Sequence, residues 1–264
     1  MPLTAGQRLT KKQRRQLRQE GVLGTQENTF KSNFQIKHFS PLTENQRKTY
    51  EAFEDGQNLL LHGIAGTGKT FLSLYLSTRE VLNTGSPYKK VVIVRSAVPT
   101  RDMGFLPGNN AEKAKVYEAP YMAIATELFG RGDAYDVLKN KNMVEFISTS
   151  YIRGITLSDC IIIVDEVQNM TYHEIDSIIT RVGENCRIIF SGDFRQTDFT
   201  REQEKSGLRD FIKIIKSMNS FAFIEFEIQD IVRSRMVKEY IIAKDRHERN
   251  KDRREDLRPQ VLAE

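Results

Sequence analysis

One eight-residue string constrains this chain more than any other: Gly63-Ile64-Ala65-Gly66-Thr67-Gly68-Lys69-Thr70. It fits the pattern G-x-x-x-x-G-K-[ST]. It stands between an apolar run, Asn58-Leu59-Leu60-Leu61-His62, and an amphipathic stretch through Phe71, Leu72, Leu74, Tyr75 and Leu76. A strand, a glycine-rich turn and a helix in that order form a cradle for phosphate. Glycines let the backbone wrap closely and aim successive N–H groups at phosphate oxygens, and the helix N-terminus adds its partial positive charge. Gly63, Ala65, Gly66, Thr67, Gly68, Lys69 and Thr70 are therefore the candidate nucleotide-binding residues. Lys69 is expected to reach the β and γ phosphates, and the Thr70 hydroxyl to ligate Mg²⁺. A glycine turn that merely joined a strand to a helix would have no need of Lys and Thr in this register.

The remaining pattern says what carries the cradle. Short apolar runs at Val91–Val94, Val144–Ile147, Cys160–Val164, Arg187–Phe190 and Phe221–Phe226 alternate with amphipathic helices, among them 171–182, 207–218 and one from about Val232 onward. Ser96 to Pro120 reads as irregular. Wholly apolar strands between helices require a parallel sheet covered on both faces. The expected fold is α/β, a doubly wound, mainly parallel sheet carrying the P-loop, over residues 40–243. A basic arm (1–39) precedes it and a charged tail (244–264) follows.

In the arm, Arg8, Lys11, Lys12, Arg14, Arg15 and Arg18 occur with no acid among them, which suits either a solvated tail or an arm that contacts nucleic acid. The whole chain carries a formal net charge of +5, only a mild bias towards anionic partners. Cys160 and Cys186 lack the paired spacing of a zinc site and read as buried free thiols; with no apolar stretch of membrane-spanning length, a cytoplasmic location and no membrane partner are expected.

Two strand ends supply further chemistry. The run Cys160-Ile161-Ile162-Ile163-Val164 ends in Asp165-Glu166, which brings carboxylates to the edge of the sheet where ligands of open α/β folds bind. Asp165 is the candidate Mg²⁺ carboxylate and Glu166 the candidate general base for an attacking water, although a strand ending in Asp-Glu can also be a helix cap. The run Arg187–Phe190 leads to Ser191-Gly192-Asp193 and on to Gln196, a candidate sensor of the γ-phosphate.

Several further strings occur together: Val94-Arg95-Ser96-Ala97-Val98-Pro99, Gly104-Phe105-Leu106-Pro107-Gly108, Tyr151-Ile152-Arg153-Gly154, Asp165-Glu166-Val167-Gln168-Asn169, Ser206-Gly207-Leu208 and Asp230-Ile231-Val232-Arg233. In this order they resemble PhoH-like proteins over roughly Leu42 to Tyr240. The resemblance implies a RecA-like ATPase core related to superfamily 1 helicases, ATP and Mg²⁺ as ligands, assembly into a homo-oligomeric ring such as a hexamer, and RNA-directed roles. It makes Gln46, in Leu42-Thr43-Glu44-Asn45-Gln46, the adenine contact, and Arg233 an arginine finger acting in cis or in trans. Ile64 replaces the proline usual in the family's cradle. No nuclease-type or RNA-binding domain of the longer relatives is recognisable, so RNA cleavage is not expected, and a compact stand-alone form of this kind suits a phage genome.

Candidate contacts to RNA or single-stranded DNA are Arg95, Arg101, Phe105 and Arg153, basic and aromatic side chains in segments that leave the ligand edge of the sheet. A loop that packs on its own core or on a neighbouring subunit fits the same residues. Coupling of ATP hydrolysis to nucleic-acid remodelling is the leading expectation. The alternative is a regulatory or assembly ATPase whose nucleotide state controls a protein partner.

Overall fold

The computed structural model describes residues 34–96, 110–194 and 202–256. The chain divides into two units, Met1–Lys37 and His38–Glu264. In the first, described residues 34–37 form no helix or strand; the second carries every element below.

Among the described residues six strands form one sheet: β1 (Asn58–Gly63), β2 (Lys90–Arg95), β3 (Val144–Ser148), β4 (Cys160–Asp165), β5 (Cys186–Gly192) and β6 (Phe221–Phe226). All neighbours are parallel, in the order β3-β2-β4-β5-β1-β6. The helices are α1 (Glu44–Glu54), α2 (Lys69–Leu82), α3 (Asn110–Phe129), α4 (Ala134–Asn140), α5 (Tyr172–Ile179), α6 (Glu202–Lys216) and α7 (Arg235–Asp256).

Every residue of β4 is buried, so the sheet is covered on both sides, as its unbroken apolar sequence demands. On one face Leu60, Ile162, Val164, Ile188 and Phe190 pack with Ile175 and Ile178 of α5 and with Leu208, Phe211 and Ile215 of α6. On the other, the Arg187 guanidinium lies 3.9 Å from the centre of the α1 ring Phe53, and Tyr121 of α3 meets Phe146 of β3. The fold is the expected doubly wound α/β type, with a sheet that is wholly parallel.

Local chemistry sets where some elements differ from the sequence reading. The irregular stretch expected up to Pro120 ends sooner, because α3 runs straight through that proline. Pro120 is solvent-exposed, so a carbonyl deprived of its helical partner can be hydrated, and side chains on either side of it hold the helix in place. Helix α5 stops at Ile179 because Val182 and Gly183 turn to pair with Leu157. Its start is sharp: the Thr171 hydroxyl accepts from Glu174 N–H at 3.3 Å, and the Glu174 carboxylate accepts from Thr171 N–H at 2.8 Å. The last helix begins at Arg235 rather than Val232, since the Val232 N–H bonds to the Gly66 carbonyl at 3.0 Å.

Cys160 and Cys186 sit opposite each other on β4 and β5 with sulfurs 3.6 Å apart. Both are free thiols, Cys160 buried as expected and Cys186 only half-buried.

Candidate active site

The glycine-rich turn leaves β1 and becomes α2. At Gly63 the backbone takes φ +127°, and an added Cβ would lie 2.0 Å from the Phe226 carbonyl oxygen, so only glycine permits the turn beside β6. Within the loop the Thr67 hydroxyl donates to the Ile64 carbonyl at 3.0 Å. The buried Lys69 ammonium donates to the carbonyls of Gly63 and Ile64 at 2.6 and 2.9 Å, which folds the lysine over its own loop. Ala65 is exposed at the tip, and Gly66 and Gly68 both take positive φ.

Strand order determines what faces this loop. β5 lies between β1 and β4, with His62 opposite Gly192 and Asp165 opposite Ser191. The ends of all three strands therefore share one edge. There the Thr70 hydroxyl donates to Asp165 Oδ1 at 3.0 Å, although the two residues are 95 apart in the chain. Asp165 is only 3% exposed, and its other oxygen, Oδ2, accepts the hydroxyl of the equally buried Tyr121 at 2.9 Å. Burial, and then the charge of adjacent Glu166, pushes the Asp165 carboxyl above its ordinary value. A buried carboxylate penalised in this way, beside a hydroxyl at the base of a phosphate loop, suits a Mg²⁺ ion, which takes one or two protein oxygens and completes its shell with phosphate and water. Among the described residues no group of three His, Cys, Asp or Glu side chains could hold a metal ion.

Glu166 follows in a left-handed conformation, φ +55°, unusual for a residue with a side chain and costing about 1–3 kcal/mol. Its carboxylate accepts a hydrogen bond from the Gln168 side-chain amide, whose oxygen in turn accepts the Asp193 N–H at 3.0 Å. Gln168 thus ties the Asp-Glu turn to the end of β5. Gly192 makes room for it, since a Cβ there would come within 2.4 Å of Gln168 Oε1. His62 stacks on Phe194 and accepts its N–H at 3.3 Å, the packing role expected of it.

Two other segments close on the loop. Gln46, 4% exposed, donates from Nε2 to the Thr67 carbonyl at 3.1 Å and accepts the Leu42 N–H at 2.8 Å. The segment after β6 comes from the other direction: a Cβ on Gly66 would meet Arg233 Cγ at 3.1 Å, so this arginine lies against the loop of its own chain. Asp230, fully buried, joins the two segments by accepting from Asn45 Nδ2 at 2.8 Å and from the Glu227 N–H at 2.9 Å.

The structure thus brings together Gln46, the loop residues, Asp165, Glu166 and Arg233. Arg95 is half-buried at the end of β2, its guanidinium 5.9 Å from the Tyr117 ring centre, and its positive charge acts on the Asp165 carboxyl. Arg153 is exposed. Gln196, Arg101 and Phe105 lie outside the described residues, as does nearly all of the basic arm.

Residues 38–244 match the profile of the family described as "PhoH-like protein". This chain belongs to the PhoH-like family. It is 32% identical over 205 residues to a PhoH-like protein of Bacillus subtilis, a match covering 77% of this chain and 63% of the relative. A PhoH-like protein of Synechocystis sp. is also 32% identical, over 207 residues, covering 78% of this chain and 62% of the relative. The PhoH-like chain therefore spans under two thirds of the length of these relatives. Among solved structures it is similar to the large terminase of a thermophilic bacteriophage, with TM-score 0.45 and 12% identity over 76% of this chain and 50% of that one.

Two residues of this PhoH-like site had no role assigned from sequence. Gln168 stood in plain view in the Asp-Glu-Val-Gln string, and its side chain two residues after Glu166 was the available signal. Tyr121 had none, since an aromatic residue in an apolar helix reads as core.

Proposed function

We propose that this chain is a Mg²⁺-dependent ATPase that couples hydrolysis to the binding or remodelling of RNA or single-stranded DNA. The observation that carries the reading is the 3.0 Å contact of Thr70 with Asp165 at the mouth of a phosphate loop, with Glu166 next in the chain. In this reading Lys69 leaves its own loop carbonyls for the β and γ phosphates, and Thr70 and Asp165 hold the metal, which would neutralise charge on the phosphates. Glu166, oriented by Gln168, accepts the proton of the attacking water. Gln46 reads adenine through the amide donor and lone pair turned away from Thr67 and Leu42. Arg233, lying on Gly66 of its own chain, acts in cis on the transferring phosphoryl group. Gln196, which follows β5 in the sequence, is the candidate γ-phosphate sensor. Arg95, Arg101, Phe105 and Arg153 are the candidate nucleic-acid contacts, and a homo-oligomeric ring, such as a hexamer, is the assembly that goes with this reading.

The test is phosphate release from ATP with and without Mg²⁺, then with homopolymer RNA and DNA at low salt, on material of measured oligomeric state. Release that needs Mg²⁺ and rises with nucleic acid is expected. Release without stimulation or binding by either polymer would turn the reading to an ATPase that governs a protein partner, and no release at all would refute it.

A further inference from the structure

We propose that Tyr121 is a positioning residue of the metal site, its buried hydroxyl fixing Asp165 so that Oδ1 stays with the Thr70 hydroxyl. The proposal rests on the reading of Thr70 and Asp165 as the Mg²⁺ ligands. Tyr121 is 1% exposed, and its ring already packs on Phe146. A phenylalanine would fill that space, and a buried hydroxyl is unfavourable unless it finds a partner. The partner it has is Asp165 Oδ2, at 2.9 Å.

A carboxylate turns easily, because the terminal torsion of an aspartate has broad, roughly two-fold wells. With Thr70 alone as donor, Asp165 could swivel and exchange its oxygens. With a hydroxyl on each oxygen, at 3.0 and 2.9 Å, it is held in one plane. The phenol is itself held. One turn earlier on α3, the buried Glu118 accepts from Lys139 of α4 at 2.7 and 3.1 Å. Tyr117, on the same helix face as Tyr121, lies beneath the Arg95 guanidinium at the end of β2. Helix α3 therefore presents Tyr121 to the end of β4 from a frame anchored on both sides. Partners that orient metal ligands from behind commonly change metal affinity about 10- to 100-fold when removed.

The experiment titrates Mg²⁺ into the full chain bound to a fluorescent ADP, after measuring ADP affinity in EDTA. Tyr121→Phe should raise the Mg²⁺ concentration at half-effect by about 10-fold or more and leave metal-free ADP affinity unchanged. Tyr50→Phe, which removes a hydroxyl that donates to the Phe39 carbonyl at 2.7 Å, should leave the Mg²⁺ midpoint where it is. A folded Tyr121→Phe with the parent midpoint, while Thr70→Ala shifts it, overturns the proposal and spares the metal assignment. If Thr70→Ala shifts nothing either, the functional reading falls and takes the proposal with it. Should Tyr121→Phe fail to fold, Tyr121→His restores an N–H donor on a ring: a midpoint near the parent's supports positioning by a donor, and a shift of about 10-fold in folded Tyr121→His protein counts against it.

Discussion

Thr70 and Asp165 share a hydrogen bond of 3.0 Å at the base of the phosphate loop, and the carboxylate that takes part is almost completely buried. Its acid form is favoured by that burial and by the charge of Glu166. A carboxyl with a raised folded value lowers stability where it is ionised, and that loss disappears as pH falls below its unfolded value. A cation offsets the loss only while the group is charged. The rise in melting temperature that Mg²⁺ adds to an ADP complex should thus shrink as pH is lowered from neutrality. Thermal melts in ADP with and without Mg²⁺ across a pH series would measure it, and an increment unaffected by pH would contradict the site.

Lys69 donates to two carbonyls of its own loop, so the lysine is pre-positioned over the place a phosphate would take. Lys69→Ala should weaken ATP and ADP binding by about 10- to 100-fold, the range of a lost charge-assisted hydrogen bond. Fluorescent-nucleotide titration reads this directly, and unchanged affinity would detach the loop from phosphate recognition.

The Glu166 carboxylate is engaged by Gln168, on the side of the site that leads to β5, so replacing it should separate binding from chemistry. Glu166→Gln is expected to keep nucleotide affinity and to lose about 10² to 10⁴-fold in turnover. Hydrolysis equal to the parent's would remove Glu166 from the role of base.

Gly192 acts through Gln168. A methyl group at this position would sit 2.4 Å from Gln168 Oε1 and 3.1 Å from the Val167 nitrogen. Gly192→Ala should push the glutamine away from Asp193 and release Glu166, lowering turnover about 10- to 100-fold at constant nucleotide affinity. Paired measurements of phosphate release and binding check it; equal loss of both would indicate general damage.

Gly63 is a matter of stability. Its Cβ position is 2.0 Å from a backbone oxygen of β6, and its φ of +127° suits no other residue. Gly63→Ala is expected to cost about 3 kcal/mol or more, from strain and overpacking together, read as a lower midpoint in urea denaturation.

The strands, the phosphate loop and the Asp165-Glu166 strand end were legible in sequence for a plain reason. Leu59-Leu60-Leu61, Val91–Val94 and Cys160–Val164 are buried on both faces, so each strand is written as an unbroken apolar run between polar turns. The loop and the Asp165-Glu166 pair need fixed residue types in fixed order. Strand order was not legible, because periodicity records burial and not neighbours; nothing local in Arg187–Phe190 says that β5 inserts between β1 and β4. Tyr121 was hidden for a related reason, since its partner is 44 residues away. The run of α3 through Pro120 went unseen because the restraints that hold it, Glu118 to Lys139 and Tyr121 to Asp165, are tertiary.

The Val232 N–H is bonded to the Gly66 carbonyl, and Arg233 and Ile241 rest on the same glycine. A piece near the beginning of the fold is thus finished by residues made after the last strand. Chains emerge from the ribosome N-terminus first, so a nascent polypeptide makes its glycine turn long before Val232, Arg233 and Ile241. Order in the chain and order in the finished site are therefore reversed here: the glycine turn is synthesised early, and the neighbours that brace Gly66 come from the opposite end of the sheet's sequence.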